Sequence, residues 1–357
     1  MIEAAVDALL AEAIDVGVCS AAAAAVGTPG RAYQWLRGRT HTAGPPIVAA
    51  TPFDLASVTK PMATVMVTLT LVDDGRLALD AAAARWLPGL PASITVAHLL
   101  GHASGLPAHR KLYDRIWGGE VEGDPRAALV TMAIHEPLER APGEAAVYSD
   151  LGFILLAAVC ERAGDAAFEA LTAAALAPLG LTATQFVDLR RGERLTSAPA
   201  TELDVRRGLV VGEVHDENAH AGGGIAGHAG LFAPIGDVAR FAAAMATAPE
   251  RGAARISAAL ARHAFTTAAA PATSWRLGWD TPSTIPGVSH AGDAWPREHA
   301  VGHLGYTGTS VWIDWARGGY AVLLTNRVHP RRDRPEAALI KDVRRRFGDL
   351  AWSLIAS

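Results

Sequence analysis

Apolar and polar positions alternate with two different periods in the first forty residues. Over residues 1–17, apolar side chains recur every three to four positions among acidic ones, which is the pattern of an amphipathic helix. Two short apolar runs follow at 18–26 and 31–38, and a glycine-containing turn at 27–30 separates them. The pattern therefore predicts a helix followed by a β-hairpin.

Helical periodicity dominates the middle of the chain. A loop rich in proline and threonine covers residues 39–52, and a helix is predicted from Pro61 to Leu71, so that Ser57 lies near a helix start. Helical segments broken by glycine and proline continue to about residue 200. They are predicted at residues 94–100, 125–133, 150–163 and 166–176.

Strand patterns return in the last third of the chain. A glycine-rich loop (222–230) and a helix (235–246) precede three short apolar runs, at 300–306, 310–315 and 320–326, that suit an antiparallel meander. Because both chain ends contribute to one sheet, the order favours an α+β fold over βαβ repeats. We expect an α/β sheet lobe formed by residues 1–60 and 200–357, and a mainly helical lobe formed by residues 61–199. The sheet lobe is expected to close with a helix at residues 335–355.

Composition and charge exclude several classes of function. The chain is 50% hydrophobic and 19% charged, as expected of a folded protein with a large core. A net charge of −4 gives no basic field for a nucleic-acid partner. No apolar run reaches the length of a membrane span, and the acidic first segment lacks the basic start of a signal peptide, which predicts a cytoplasmic protein. Cys19 and Cys160 are expected to be buried thiols.

Ser57 and Lys60 stand three positions apart in the segment Ser57-Val58-Thr59-Lys60. On a helix this spacing puts both side chains on one face, one turn from each other. A serine hydroxyl needs a base at neutral pH, and a buried lysine with a lowered pKa can be that base. With 13 serines and 3 lysines in 357 residues, chance yields roughly 0.1 such pairs. The spacing alone also fits a serine near a helix start with an unrelated surface lysine.

Two further segments carry groups suited to acyl transfer. Tyr148-Ser149-Asp150 lies where a loop enters an apolar helix. The Tyr148 phenol suits proton transfer if cationic neighbours lower its pKa, but the same residues suit a helix N-cap. The glycine-studded segment 302–310 suits a strand that a ligand approaches closely, or a plain hairpin turn with a satisfied histidine. One of its amides, paired with that of Ser57, would form an oxyanion hole.

Taken in order, these three segments resemble the signature set of the serine β-lactamase, penicillin-binding-protein and esterase family. That set is S-x-x-K, then Tyr-x-Asn, then a Lys-Thr-Gly or His-x-Gly strand. The resemblance implies a five-stranded antiparallel sheet flanked by terminal helices, a helical lobe, and an active site in the cleft between them. Other segments also look familiar, namely residues 53–57, 99–106, 227–232 and 324–327.

The resemblance also implies roles for individual residues. Ser57 would be acylated, Lys60 would be the base and Tyr148 would assist proton transfer. The amides of Ser57 and Tyr306 would form the oxyanion hole, and no cofactor or metal is implied. The substrate would be a small ester, amide or peptide.

This chain departs from the family pattern at the substrate-binding positions. Asp150 stands where asparagine is common, and His303 and Leu304, just before Gly305, stand where many members have lysine and threonine. The cationic grip on a substrate carboxylate is therefore weakened, unless Arg327 supplies it. These departures favour an esterase or a D-alanyl-D-alanine carboxypeptidase-like hydrolase, with a β-lactamase or a penicillin-binding sensor without turnover as alternatives.

Two other mechanisms fit the sequence less well. Histidines and acidic residues cluster at 215–228, but they match no standard zinc spacing such as H-E-x-x-H, so we expect this segment to line or cover the serine cleft. The α/β-hydrolase elbow G-x-S-x-G is missing, because no serine has glycine at both flanking positions.

Overall fold

A five-stranded antiparallel sheet forms the centre of the protein in the computed structural model, which describes residues 2–357. The two strands of the N-terminal hairpin, Ala21–Thr28 and Arg31–Gly38, pair along their whole length. The first of them also pairs with a strand from the far end of the chain, with Ala22 opposite Thr325. The other three strands are Ala300–Leu304, Ser310–Asp314 and Gly319–Thr325.

Four of the five strands are buried, and the edge strand Arg31–Gly38 is exposed or half-buried. Along the interior strand Ala21–Thr28, alternate side chains point to opposite faces and enter two different buried clusters. The terminal helices Ile2–Asp15 and Ile340–Ile355 cover one face. Helix Ile235–Arg251 covers the other, and helix Ala258–Thr266 packs against that helix. Small alanine side chains on strand Ala21–Thr28 let both layers approach closely.

The larger of the two cores continues from the sheet into the helices of the middle of the chain. These helices and the remaining short ones are Met66–Asp73, Val96–Leu100, Tyr113–Trp117, Pro125–Ile134, Asp150–Gly164, Phe168–Leu176, Glu217–Ala221 and Pro335–Ala338. Single 3₁₀ turns lie at Ala56–Val58, Ala83–Arg85, Ala177–Leu179 and Leu189–Arg191.

Two small antiparallel sheets complete the fold. One orders the chain just before Ser57, because Phe53–Asp54 pairs with Leu231–Ala233, which also pairs with Gln185–Phe186. The other joins Leu203–Asp204 to Gly208–Leu209. Neither was predicted, since two or three residues give no detectable alternation.

The predicted α+β fold with a five-stranded antiparallel sheet and flanking terminal helices is confirmed. The predicted strand 300–306 ends at Leu304, and the closing helix divides at Leu339. The division into lobes at residues 60 and 200 stays a prediction, and the larger core contains residues from both sides of it. Within residues 2–357, no helix is long and apolar enough to cross a membrane.

Candidate active site

The backbone around Ser57 is fixed by hydrogen bonds from three directions. The Asp54 carboxylate accepts from the amides of Ala56 (2.8 Å) and His215 (2.7 Å). The hydroxyls of Thr307 and Thr309 donate to the carbonyls that precede Ser57, at 2.8 and 2.9 Å. Ser57 is therefore held at a junction of its own loop, the sheet edge and the segment that begins at residue 215.

The residue before Ser57 has an unusual conformation. Ala56 has a φ of +46°, in the left-handed region that side chains other than glycine rarely adopt. Ser57 lies in the 3₁₀ turn that follows, and the chain continues as a π-helix over Lys60–Val65 before the α-helix begins at Met66. The predicted helix from Pro61 is thus present, but its first turns have the non-α geometries that are frequent at functional sites.

Lys60 Nζ joins four groups in the interior of the protein. It lies 3.0 Å from Ser57 Oγ, 2.5 Å from Tyr148 Oη, 2.7 Å from Asp150 Oδ1 and 3.1 Å from the carbonyl oxygen of His228. Its side chain is fully buried. The structure therefore brings together Ser57, Lys60, Tyr148 and Asp150, which the sequence places up to 93 positions apart.

The pKa of Lys60 differs from the lowered value predicted for a base at this position. Burial is the largest influence on Lys60 and lowers its pKa, but the Asp150 carboxylate and Tyr148 outweigh it, so the pKa is raised above its ordinary value. The prediction of a lowered Lys60 pKa is therefore wrong. Burial opposes the ionisation of Asp150, yet the Lys60 ammonium holds the pKa of Asp150 below its usual range. The resting pair is ammonium and carboxylate.

Tyr148 is a neutral phenol in this setting. Burial raises its pKa to about 12, although the neighbouring Lys60 charge works in the opposite direction. The condition set for proton transfer, a net lowering of the Tyr148 pKa by cationic neighbours, is therefore not met. Next to it, Ser149 caps helix Asp150–Gly164 by accepting from the amide of Gly152 at 3.2 Å. The segment thus has the capping role that its sequence suggested, while Tyr148 contacts Lys60.

The strand segment at 303–306 divides between the interior and the cavity that contains Ser57. His303 is 1% exposed, donates from Nδ1 to the carbonyl of Leu304 at 2.9 Å, and does not line the cavity. Burial and the charge of Lys60 lower the pKa of His303 to about 3, so its ring is neutral. Gly305 packs against Leu55 and Ala56. Tyr306 is the member of this segment that lines the cavity.

The cavity has a volume of about 350 Å³ and a wall rich in charged groups. The segment that begins at His215 contributes much of that wall, as expected from the sequence. The wall residues His109 and Arg332 were not recognised in the sequence, because they belong to no motif and only the fold brings them close to Ser57. The cavity is lined by Ala56, Ser57, His109, Tyr148, Asp150, His215, Asp216, Glu217, Ala229, Tyr306 and Arg332.

An ion-pair network supports one side of this wall. Arg332 lies between Glu202 (2.5 Å) and Glu217 (2.7 Å), and Glu202 also accepts from His215 Nε2 at 2.8 Å. The ring of His215 stacks on that of Tyr306, with centroids 5.8 Å apart. On the side nearer Lys60, His228 pairs with Asp216 at 2.8 Å.

The histidine and acidic cluster at 215–228 is therefore occupied by these pairs. Among residues 2–357, no group of three or more histidine, cysteine or acidic side chains is arranged to hold a metal ion.

A sequence model of the Beta-lactamase family matches residues 6–345. The chain belongs to the beta-lactamase family. One relative in this family is an Escherichia coli K12 protein named "Putative D-alanyl-D-alanine carboxypeptidase", which is 30% identical over 304 residues, 78% of this chain and 70% of the relative. Family and relative together make this member a serine hydrolase.

Two solved structures share the fold of this beta-lactamase-family member. The octameric penicillin-binding protein homologue from Pyrococcus abyssi superposes with a TM-score of 0.73 at 19% identity, covering 99% of this chain and 78% of that one. EstCE1, described as a hydrolase with promiscuous acyltransferase activity, gives 0.73 at 20% identity, covering 97% and 98%. At these identities the likeness concerns the fold.

Proposed function

We propose that this protein hydrolyses esters or amides through an acyl-enzyme on Ser57, as an esterase or a D-alanyl-D-alanine carboxypeptidase-like peptidase. The observation that carries the proposal is the contact between Ser57 Oγ and the buried Lys60 Nζ, 3.0 Å, at the wall of a cavity large enough for a small substrate. The relative named as a carboxypeptidase supports an amide or peptide substrate.

The geometry suggests how the first proton moves. Lys60 is an ammonium at rest, so it accepts the Ser57 proton only if it gives up one of its own. Asp150 Oδ1 lies 2.7 Å from Nζ and can take that proton as Ser57 Oγ attacks the substrate carbonyl. The net transfer is then from Ser57 to Asp150, and Lys60 is again an ammonium at the end of this step.

The second half of acylation needs a proton for the leaving group. Tyr148 Oη lies 2.5 Å from Lys60 Nζ and lines the cavity, so its hydroxyl proton can pass to the leaving oxygen or nitrogen while Lys60 replaces it. The proton held by Asp150 then returns to Lys60. Water attacks the ester on Ser57 in the second half-reaction by the reverse route, which restores Ser57 and releases the acid.

An oxyanion hole is assigned to the amides of Ser57 and Tyr306. Both residues line the same cavity, and the first turn of a helix leaves the Ser57 amide without an intrahelical acceptor. Two backbone donors at a developing oxyanion are the usual means of stabilising the tetrahedral intermediate. Gly305 and the two threonine hydroxyls that hold Ser57 would fix the distance between these amides.

The test is covalent labelling combined with turnover. A fluorophosphonate should label the wild-type protein at Ser57 and leave Ser57→Ala unlabelled, while Lys60→Ala should react at least about 100-fold more slowly. Ser353→Ala and Lys341→Ala, which remove the same groups at exposed positions, should behave as wild type. Equal labelling of Ser57→Ala would refute the assignment.

Turnover distinguishes the alternatives. A panel of p-nitrophenyl acetate, a D-Ala-D-Ala peptide and the β-lactam nitrocefin should show Ser57-dependent release of product from the ester or the peptide. Labelling by penicillin without turnover of any substrate would identify a sensor, and nitrocefin as the best substrate would identify a β-lactamase. Either result would overturn the proposed activity while leaving Ser57 as the acylated residue.

A further inference from the structure

Three carboxylates share the cavity wall with Ser57: Asp150, Asp216 and Glu217. Their side chains keep 16%, 23% and 19% of their surface accessible. Each carboxylate is therefore buried enough to interact strongly with the charge of a bound ligand, and exposed enough for the ligand to reach it.

Two of these carboxylates have an oxygen that is not engaged. Asp216 uses Oδ1 both for His228 and for the amide of Ala219, each at 2.8 Å. Glu217 uses Oε1 for Arg332, at 2.7 Å. No hydrogen bond within residues 2–357 reaches Asp216 Oδ2 or Glu217 Oε2. These oxygens are free to accept from a ligand.

The cations in and directly behind the wall, in contrast, already have carboxylate partners. Lys60 is paired with Asp150, and Arg332 is held by both Glu202 and Glu217. His303, which stands where a lysine is frequent in the family, is neutral and buried. Arg327 is not part of the cavity wall; its Nε donates to the Tyr306 carbonyl at 2.7 Å and its guanidinium lies 4.5 Å from that ring. His109 also lines the wall and lies 3.8 Å from Asp150, so a substrate carboxylate would meet only cations that already have a carboxylate neighbour.

The pKa of His109 shows how the electrostatic potential in the cavity affects a positive charge. Its ring is 43% exposed and Nδ1 lies 3.8 Å from Asp150 Oδ2. Its pKa is raised above the ordinary histidine value, first through the contact with Asp150 and further by the charges of Asp216 and Glu217. All three carboxylates thus favour positive charge at a position that substrate would share.

We propose that Asp216 and Glu217 select substrates that carry a positively charged amine within a few atoms of the scissile carbonyl. The inference rests on the proposed function, since it assigns a substrate class to the same cavity. It departs from the carboxylate-bearing peptide that the name of the Escherichia coli relative suggests. Selectivity arises because a carboxylate near Asp216 and Glu217 is repelled while an ammonium is attracted, at a site partly shielded from water.

Two matched series of thioesters test this selectivity, both read by thiol release. In the first, the acetyl group is constant and the thiol carries a trimethylammonium, no charge or a carboxylate: acetylthiocholine, S-ethyl thioacetate and S-acetyl-3-mercaptopropionate. In the second, the S-ethyl ester is constant and the acyl group is glycine, N-acetylglycine or N-succinylglycine. For each series, the ratio of kcat/KM for the cationic and the anionic member is compared between variants, which cancels their intrinsic reactivities.

We expect the wild-type protein to prefer the cationic member of at least one series, and Asp216→Asn and Glu217→Gln each to reduce that ratio about tenfold. Glu250→Gln removes the same charge at an exposed position and should leave the ratio unchanged. Asp216→Asn keeps Arg332 paired with both glutamates, so its effect separates lost attraction from a released arginine.

The outcomes separate the two proposals. Ser57-dependent turnover of the neutral thioesters with no charge preference in either series would overturn the substrate assignment alone. A preference for the carboxylate member would also overturn it, and loss of that preference in Arg327→Ala would identify the responsible cation. Failure to turn over any of the six thioesters, with no labelling of Ser57, would overturn the proposed function itself.

Discussion

Lys60 Nζ and Asp150 Oδ1 lie 2.7 Å apart and form an ion pair inside the protein. Lys60 belongs to the helix that follows Ser57, and Asp150 is the first residue of helix Asp150–Gly164, where the helix dipole also favours a negative charge. Removing one partner would leave the other charge buried and unpaired. The pair therefore fixes the protonation state of Lys60 and the position of the second helix together.

Asp150→Asn should change the pH dependence of the reaction. In the wild-type protein Asp150 is ionised and is the proton acceptor, so kcat/KM should have no ascending limb between pH 5 and pH 8. Without the carboxylate, burial is the main remaining influence and lowers the pKa of Lys60. The variant should therefore depend on neutral Lys60, and its kcat/KM should rise with pH along a limb at the new pKa.

The pH profile of kcat/KM for the wild-type protein can contradict the role of Asp150 as the proton acceptor. If kcat/KM of the wild type still rises through pH 9 to 10, neutral Lys60 is the working form and Asp150 is not the acceptor. Asp80→Asn removes a carboxylate from an exposed turn and should leave the profile unchanged.

Gly305→Ala should impair catalysis through sterics alone. A Cβ at this position would collide with the Thr309 hydroxyl and lie 2.5 Å from the Leu55 carbonyl oxygen, where these two groups now hydrogen-bond at 2.9 Å. The strand would move away from the Ser57 loop and widen the oxyanion hole. We expect kcat to fall about 100-fold, the loss typical of one oxyanion donor, with a smaller change in KM.

Gly236→Ala is the matched control for that substitution. A Cβ at Gly236 has nothing within 4 Å and lies in helix Ile235–Arg251, so alanine should preserve activity and raise stability by up to about 1 kcal/mol. Full activity in Gly305→Ala would show that the spacing of the two segments does not control the reaction.

Glu202→Gln should reveal a pH-dependent contribution to stability. Burial would raise the pKa of Glu202, but hydrogen bonds from His215 and Arg332 lower it from 4.5 to about 2. A depressed carboxyl pKa stabilises the fold above pH 4.5, and this contribution is lost as the pH falls towards 2. We expect the variant to be about 2 kcal/mol less stable than wild type at pH 7, and the gap to shrink at pH 3.

Denaturant unfolding at both pH values measures that gap. Glu250→Gln, at an exposed position, should match the wild type at pH 7 and at pH 3. A gap for Glu202→Gln that is the same size at both values would mean that the pKa of Glu202 is not depressed.

The sequence predicted the parts of this protein that depend on local pattern. The alternation of apolar residues defined the hairpin and the three late strands, and the S-x-x-K spacing placed Ser57 beside Lys60. Asp150 was recognised as part of the segment Tyr148-Ser149-Asp150 and as a departure from a family pattern, but not as the partner of Lys60. Its effect on the pKa of Lys60 depends on a contact across 90 positions, which periodicity does not encode.

The remaining wall of the cavity was beyond local pattern for the same reason. Glu202 and Arg332 are 130 positions apart and have no motif around them, yet their pairing supports the wall beside Tyr306. The segment at 215–228 was assigned to the cleft because its metal spacing failed, but the sequence did not show which of its side chains face Ser57. Those directions come from tertiary contacts such as the bond from the His215 amide to Asp54.

Asn326→Asp should destabilise the sheet more than the loss of one hydrogen bond would. The Asn326 side chain is buried and makes four hydrogen bonds, accepting from the amides of Ser20 (3.0 Å) and Ala21 (2.9 Å) and donating to Ser20 Oγ and the Ala200 carbonyl, each at 2.8 Å. Aspartate keeps the acceptor but places a second negative oxygen against that carbonyl. We expect a loss of about 3 kcal/mol at pH 7.

The carboxylate that Asn326→Asp introduces and the Glu202 carboxylate of the wild type should respond to pH in opposite ways. A fall in pH removes the stabilisation that Glu202 contributes, whereas it relieves the destabilisation that the new carboxylate causes. A buried carboxylate facing a carbonyl has a raised pKa, so protonation restores a donor and part of the loss should be recovered as the pH falls from 7 to about 4. Denaturant unfolding at pH 7 and pH 4 measures the change, and Gln34→Glu, which adds the same charge at an exposed strand position, is the control. If Asn326→Asp were no less stable than Gln34→Glu at pH 7, the four hydrogen bonds of Asn326 would not be what joins strand Gly319–Thr325 to the start of strand Ala21–Thr28.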